Sequence, residues 1–153
     1  MFAEPGTVLF VIHAAATFYL VGLIWIVQRV HYPLFALVGA EAFARYEQTH
    51  VRRITPVVGP VMAVEAATAA ALLVWPPRGV GAVALWLGLA LVVVIWASTV
   101  FIQVPLHDQL RRGFDRGRVD RLVRTNWLRT AAWTIRGLLV GSMLFTVLAD
   151  RGG

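Results

Sequence analysis

Cysteine and lysine are both missing from this 153-residue sequence. Without cysteine the chain has no disulfides, thiolate metal sites, iron–sulfur clusters or thiolate catalysis. Charged residues are also scarce, at 14% of the chain, against about a quarter of an average soluble protein. Hydrophobic residues make up 59%. This composition predicts a single integral membrane domain that covers residues 1–153.

Four apolar segments are long enough to cross a bilayer as helices, which requires about 20 residues. They lie at about residues 7–30, 57–75, 80–104 and 127–148. Prolines bound the middle two, since proline lacks the N–H that a helix interior needs. The predicted fold is therefore all-α, a bundle of four transmembrane helices.

The two long connections have their own patterns. Residues 31–55 contain a Tyr-Pro break and then a short helix at about residues 40–53. Residues 105–126 alternate apolar residues with arginines, which predicts an amphipathic segment in the plane of the membrane interface.

The arginines predict a topology. Eleven of them flank the two long connections, whereas only Arg78 and Arg151 lie at the opposite ends of the predicted helices. The positive-inside rule then places both connections in the cytoplasm and both termini outside, in a cell (inner) membrane. Because the arginines adjoin apolar spans, membrane lipids are the expected partners and nucleic acid is not.

Three of the four histidines share one membrane depth, at the cytoplasmic ends of the predicted helices. They are His31, His50 and His107. Imidazole suits copper and iron, and Glu47 precedes His50 with the Glu-x-x-His spacing of di-iron helix bundles. These four residues are candidate ligands of a copper or iron ion. The alternatives are a site without any cofactor, and histidines that simply prefer the headgroup region.

Two charged residues fall inside the predicted spans. Glu65 and Arg136 lie at similar depths, and a lone charge in the bilayer core is expensive, so we expect them to pair. The pair either fixes helix register or serves a function. His13, nearer the outer side, is either an axial haem ligand or a residue hydrogen-bonded to a neighbouring helix, for example through Thr17 or Ser142.

Two sets of motifs resemble those of a known family. Residues 104–110 (VPLHDQL), Asp120 and residues 125–130 (TNWLRT) resemble the closing motif of small four-helix membrane proteins grouped with anthrone oxygenases. Residues 30–35 (VHYPLF) resemble the Tyr-Pro turn after that family's first helix. The resemblance implies a four-helix membrane fold and oxygenation of a polyketide anthrone. The site positions that it implies are Pro105, His107, Asn126, Arg129 and the Tyr32-Pro33 turn, with His107 where the family commonly has Asn.

The leading functional prediction is a membrane-embedded oxidoreductase or oxygenase that acts on a lipophilic small molecule at the cytoplasmic end of the bundle. The histidines would bind a metal or act as general acid/base groups, and Asn126 and Arg129 would stabilise negative charge. The catalytic candidates are His107, Asn126, Arg129, Glu65 and Arg136, and the substrate contacts are Tyr32, Gln103, Trp127 and Trp133. The alternatives are a small homo-oligomeric transporter or channel that uses Glu65 and Arg136, a haem-binding membrane protein, and a scaffold without chemistry.

Overall fold

The structure of the chain, a computed structural model, describes residues 4–152. Helix α1 (Pro5–Ile26) continues through a π-turn (Val27–His31), a short α2 (Tyr32–Leu34) and a 3-10 turn (Phe35–Leu37). Helix α3 covers Ala40–Ala71. Helix α4 (Ala82–Ser98) continues through a second π-turn (Thr99–Gln103) into α5 (Val104–Leu110), and α6 covers Arg116–Gly152.

Four helical segments in this part of the chain are long and apolar enough to cross a membrane. They are Pro5–Leu37, Ala40–Ala71, Ala82–Leu110 and Arg116–Asp150. The predicted all-α architecture with four membrane-spanning helices is confirmed. The helices pack as a bundle in which α6 contacts both α1 and α4, and α1 also contacts α3.

The predicted boundaries inside the two long connections are wrong. Helix α3 is continuous through Pro56 and Pro60, so the expected separate helix at 40–53 is its first half. Each internal proline removes one backbone hydrogen bond, but the first half of α3 buries Phe43 and two polar residues of the site, and this packing holds the helix in one piece.

The amphipathic segment before the fourth span also differs from its prediction. It forms α5 and the first turns of α6 rather than an interfacial helix of its own. Leu110, Val119 and Leu122 are fully buried in the bundle. The apolar face of this segment thus packs against protein, while its arginines remain exposed except for Arg118, which is half-buried.

Each π-turn lies just before a proline. In the first, the Tyr32 N–H donates to the Val27 carbonyl; in the second, the Val104 N–H donates to the Thr99 carbonyl. These bonds join residues five apart instead of four. The helical hydrogen-bond pattern is therefore already offset by one residue at Pro33 and Pro105, which supply no N–H. The chain continues as helix, and the predicted stop at Pro105 moves to Leu110.

Two apolar clusters fill the bundle. One, near the arginine-rich end, includes Leu20, Phe35 and Phe43. The other, near the termini, includes Phe10, Leu85 and Met143. A layer of buried polar residues lies between them, and a second polar group lies at the arginine-rich end.

Candidate functional site

The predicted ion pair forms the polar layer between the two apolar clusters. The Arg136 Nε atom donates to the Glu65 Oε1 atom over 3.0 Å, and both side chains are only 1% exposed. Thr17 donates to the same oxygen, and the Trp133 indole N–H donates to Oε2 over 3.1 Å. Both carboxylate oxygens therefore have partners, and the prediction of a Glu65–Arg136 pair is confirmed.

His13 belongs to the same layer. Its Nε2 atom lies 3.1 Å from Arg136 Nη2. Because a guanidinium only donates, Nε2 must accept, and Nδ1 then carries the proton that is donated to Thr68 Oγ1 over 2.8 Å. The predicted partners Thr17 and Ser142 bond elsewhere, to Glu65 and to the Leu139 carbonyl. With both ring nitrogens occupied, His13 does not fit the role of a haem ligand.

The other three histidines meet at the arginine-rich end, as their common depth predicted. His31 Nε2 and His50 Nδ1 are 2.8 Å apart, and the rings of His50 and His107 have centroids 5.4 Å apart. His31 comes from the first π-turn, His50 from α3 and His107 from α5. The π-turns and the unbroken α3 bring these elements together.

Beside the His31–His50 pair, the Glu47 carboxylate, the His107 imidazole and the Tyr32 phenol form a hydrogen-bonded chain. His107 Nδ1 lies 2.5 Å from Glu47 Oε1, and His107 Nε2 lies 2.9 Å from the Tyr32 hydroxyl. The carboxylate accepts, so Nδ1 carries the proton and Nε2 accepts from the phenol. Glu47 is fully buried and Tyr32 nearly so. A proton can move along this chain from the tyrosine to the histidine.

Arg129 is a buried cation without a carboxylate partner. It is 6% exposed, and no ion pair in the described residues includes it. Its Nη1 atom donates to Asn126 Oδ1 over 3.2 Å, and its guanidinium lies 5.1 Å from the centre of a Trp133 ring. Asn126 in turn donates to Gln28 Oε1 over 2.8 Å. A buried charge is costly unless it is paired, so this geometry favours an anionic ligand.

A cavity of about 230 Å³ lies between two of the histidines, Tyr32 and Arg129. Its apolar walls include Leu20, Ile24, Val58 and Met62, and its polar residues include Tyr32, His50, Gln103, His107, Arg129 and Trp133. It exceeds the roughly 150 Å³ of an engineered cavity that binds benzene. The cavity therefore accommodates a small ring system with an apolar body and polar substituents.

Four buried polar atoms around the cavity have no hydrogen-bond partner. They are His50 Nε2, Trp96 Nε1, Gln103 Oε1 and Arg129 Nε. In the described part of the chain only two other buried side-chain atoms lack partners, Glu47 Oε2 and Ser98 Oγ. Unpartnered buried polar atoms are rare in folded proteins. Their concentration here indicates a ligand that supplies both hydrogen-bond donors and acceptors.

The structure does not favour binding of a metal ion by His31, His50, His107 and Glu47. Within residues 4–152, no group of three or more histidine, aspartate and glutamate side chains has a geometry that could hold a metal ion. His107 uses both ring nitrogens for Glu47 and Tyr32, and His31 Nε2 faces His50 Nδ1. The four candidate ligands instead form two hydrogen-bonded pairs, His31 with His50 and Glu47 with His107.

One predicted substrate contact lies elsewhere, and one supporting residue was not predicted. Trp127 is 41% exposed and stacks edge-on against Trp25, away from the cavity. Gln28, which holds Asn126 and also donates to the Val123 carbonyl, was not assigned to the site. Gln28 precedes His31 by three residues and so lies on the same side of a helix, and this spacing was the available signal.

Comparison of the chain with protein-family models, with curated proteins and with solved structures finds no match.

Proposed function

We propose that this protein is a membrane-embedded oxidoreductase of the oxygenase type that acts on a flat, lipophilic phenol or related enol. The observation that carries the proposal is the cavity, which has apolar walls and, at one end, an uncompensated Arg129 next to the Glu47–His107–Tyr32 chain. The resemblance to anthrone oxygenases agrees with this substrate class. A copper or iron ion is not needed for the acid/base steps.

The hydrogen-bonded chain supplies an acid/base group. The Tyr32 oxygen can take a proton from the CH₂ group of the substrate as its own proton moves to His107 Nε2, and Glu47 stabilises the imidazolium that forms. Arg129 stabilises the oxyanion of the deprotonated substrate. With molecular oxygen as the oxidant, a CH₂ group becomes C=O, one oxygen atom enters the product, and the other leaves as water with the two hydrogens.

The transporter alternative receives less support. Glu65 and Arg136 are fully buried and hydrogen-bonded to each other and to Trp133, Thr17 and His13. A buried pair whose hydrogen bonds are all made is typical of residues that fix the register of neighbouring helices. Neither Glu65 nor Arg136 is then free to line a transport path.

Filling the cavity should prevent substrate binding without harming the fold. Gly59 lines the cavity, and a side chain added there meets no atom within 4 Å. In Gly59→Phe we expect the affinity for a hydroxyanthrone to fall by at least about tenfold, because protein interiors are close-packed and the ring occupies the same volume. Quenching of tryptophan fluorescence in nanodiscs measures binding.

Gly22→Phe is the matched control. Gly22 is exposed on α1, and its added side chain also meets nothing within 4 Å. It should bind like the wild type. Equal binding by both phenylalanine variants would contradict the assignment of the cavity, and an absorption spectrum with elemental analysis of the same samples would reveal any haem, copper or iron.

The proposed topology has both long connections in the cytoplasm. Because the sequence contains no cysteine, single cysteines can report it. Gly39 and Gly81 are both exposed, and an added side chain meets no atom within 4 Å at either. We expect a membrane-impermeant maleimide to label Gly81→Cys in intact cells and Gly39→Cys only after lysis. The reverse pattern would invert the topology.

A further inference from the structure

We propose that the His31–His50 pair is a proton outlet, which lets the cavity take a neutral phenol from the bilayer and hold it as an anion beside Arg129. This inference rests on the proposed function and adds a role for two histidines that the reaction itself does not use. A lipophilic phenol partitions into the membrane in its neutral form. Its binding as an anion therefore releases one proton, which must leave a buried site.

The orientation of His50 suits the first transfer. Its ring is buried and lines the cavity, and its Nε2 atom has no partner in the protein. Its other nitrogen, Nδ1, faces His31 Nε2 at 2.8 Å. When Nδ1 carries the proton and donates to His31, Nε2 holds a free lone pair directed toward the ligand.

His31 completes the path to water. It is partly exposed at the arginine-rich end of the bundle, whereas His50 is buried. The phenol proton moves to His50 Nε2, the Nδ1 proton of His50 moves to His31 Nε2, and His31 releases its Nδ1 proton to water. Each ring gains one proton and loses one, so both remain neutral after the transfer and differ only in tautomer.

The charge balance of the site favours this transfer. Arg129 brings a positive charge that no carboxylate of the described chain neutralises. The carboxylates near the cavity have other partners: Glu47 is bonded to His107, and Asp108, which also lines the cavity, is paired with Arg111. If the phenol's proton leaves the site, a bound phenolate neutralises Arg129 and no other buried group gains a charge. The His50–His31 pair offers a hydrogen-bonded route from the cavity to a partly exposed residue, and this route is separate from the Tyr32–His107 chain.

A nitrophenol tests the outlet without any oxygenation. Bound 4-nitrophenolate absorbs at a wavelength where the neutral phenol does not. Stopped-flow mixing with the protein in nanodiscs, at a pH low enough that the free probe is neutral, therefore follows deprotonation in the cavity. For His31→Ala we expect phenolate to form at least about tenfold more slowly than in the wild type, since a positioned acid/base group contributes about 10²–10⁴ to proton transfer. The equilibrium affinity should change by less than twofold.

Two further measurements separate a relay from a packing role. Added imidazole should restore at least half of the rate in His31→Ala, because it can occupy the vacated, partly exposed position. His31→Gln can still bond His50 but cannot pass a proton through a ring, so it should be as slow as His31→Ala and unaffected by imidazole.

The outcomes distinguish this proposal from the proposed function. If the wild type binds and deprotonates the probe and His31→Ala does so equally fast, or stays slow with imidazole present, the outlet is overturned and the proposed function stands. If the wild type does not bind the probe, or binds it only as the neutral phenol, the anion site fails and the outlet fails with it.

Discussion

Removal of the Arg136 charge alone should destabilise the protein more than any other single substitution that we consider. Arg136→Met leaves the Glu65 carboxylate buried, with its guanidinium partner lost. Breaking a buried ion pair in this way is expected to lower the free energy of unfolding by about 3–5 kcal/mol. Titration of purified protein with SDS in mixed micelles, followed by circular dichroism, measures the change.

A double variant and a surface variant serve as controls. Glu65→Gln combined with Arg136→Met removes both charges and keeps an acceptor for Trp133, so it should recover at least about 2 kcal/mol of the loss. Arg116→Met breaks the exposed pair with Asp120, in which the side chains are 65% and 59% exposed, and should cost less than about 1 kcal/mol. Equal effects of Arg136→Met and Arg116→Met would contradict a buried, satisfied pair.

Removal of the Tyr32 hydroxyl should have the largest effect on the proposed reaction. Tyr32→Phe keeps the buried ring but ends the chain at His107. We expect kcat for oxidation of a hydroxyanthrone, measured as oxygen uptake above empty nanodiscs, to fall by at least about 100-fold. KM should change little, because the apolar walls and Arg129 remain.

Tyr46→Phe is the comparison for that variant. Tyr46 is half-buried against Phe35 and Phe43 but does not line the cavity. Its hydroxyl should therefore be dispensable. A rise in KM for Tyr32→Phe at constant kcat would assign Tyr32 to binding, and wild-type activity in Tyr32→Phe would remove it from the mechanism.

The sequence predicts well the level of a residue along the bundle, but it predicts poorly the direction in which its side chain points around the helix. The positions and lengths of the apolar runs correctly placed three histidines at one level of the bundle and two charges at another. On α6 the helical period of 3.6 residues puts four residues on one face, and all four are buried: Asn126, Arg129, Trp133 and Arg136. Trp127 follows Asn126 by one residue, about 100° around the helix, and points outward.

The remaining differences depend on long-range contacts. The partner of His13 is Thr68, 55 residues away, and nothing in the spacing of residues shows which helices lie side by side. The rule that proline ends a helix is local, so it failed where tertiary packing holds α3 through Pro56 and where a π-turn precedes Pro105. The cavity, which forms between several helices, has no signature along the chain.

The unusual length of α3 and α6 has a consequence for where reactants meet. Their 32 and 37 residues, at 1.5 Å per residue, extend for about 48 and 55 Å, well beyond the roughly 30 Å of membrane hydrocarbon. Both helices are thus long enough to extend from the membrane hydrocarbon into the aqueous phase. Under the proposed function, a lipophilic compound in the cavity would exchange protons with an aqueous phase that it never enters, as the organic layer does in a two-phase extraction.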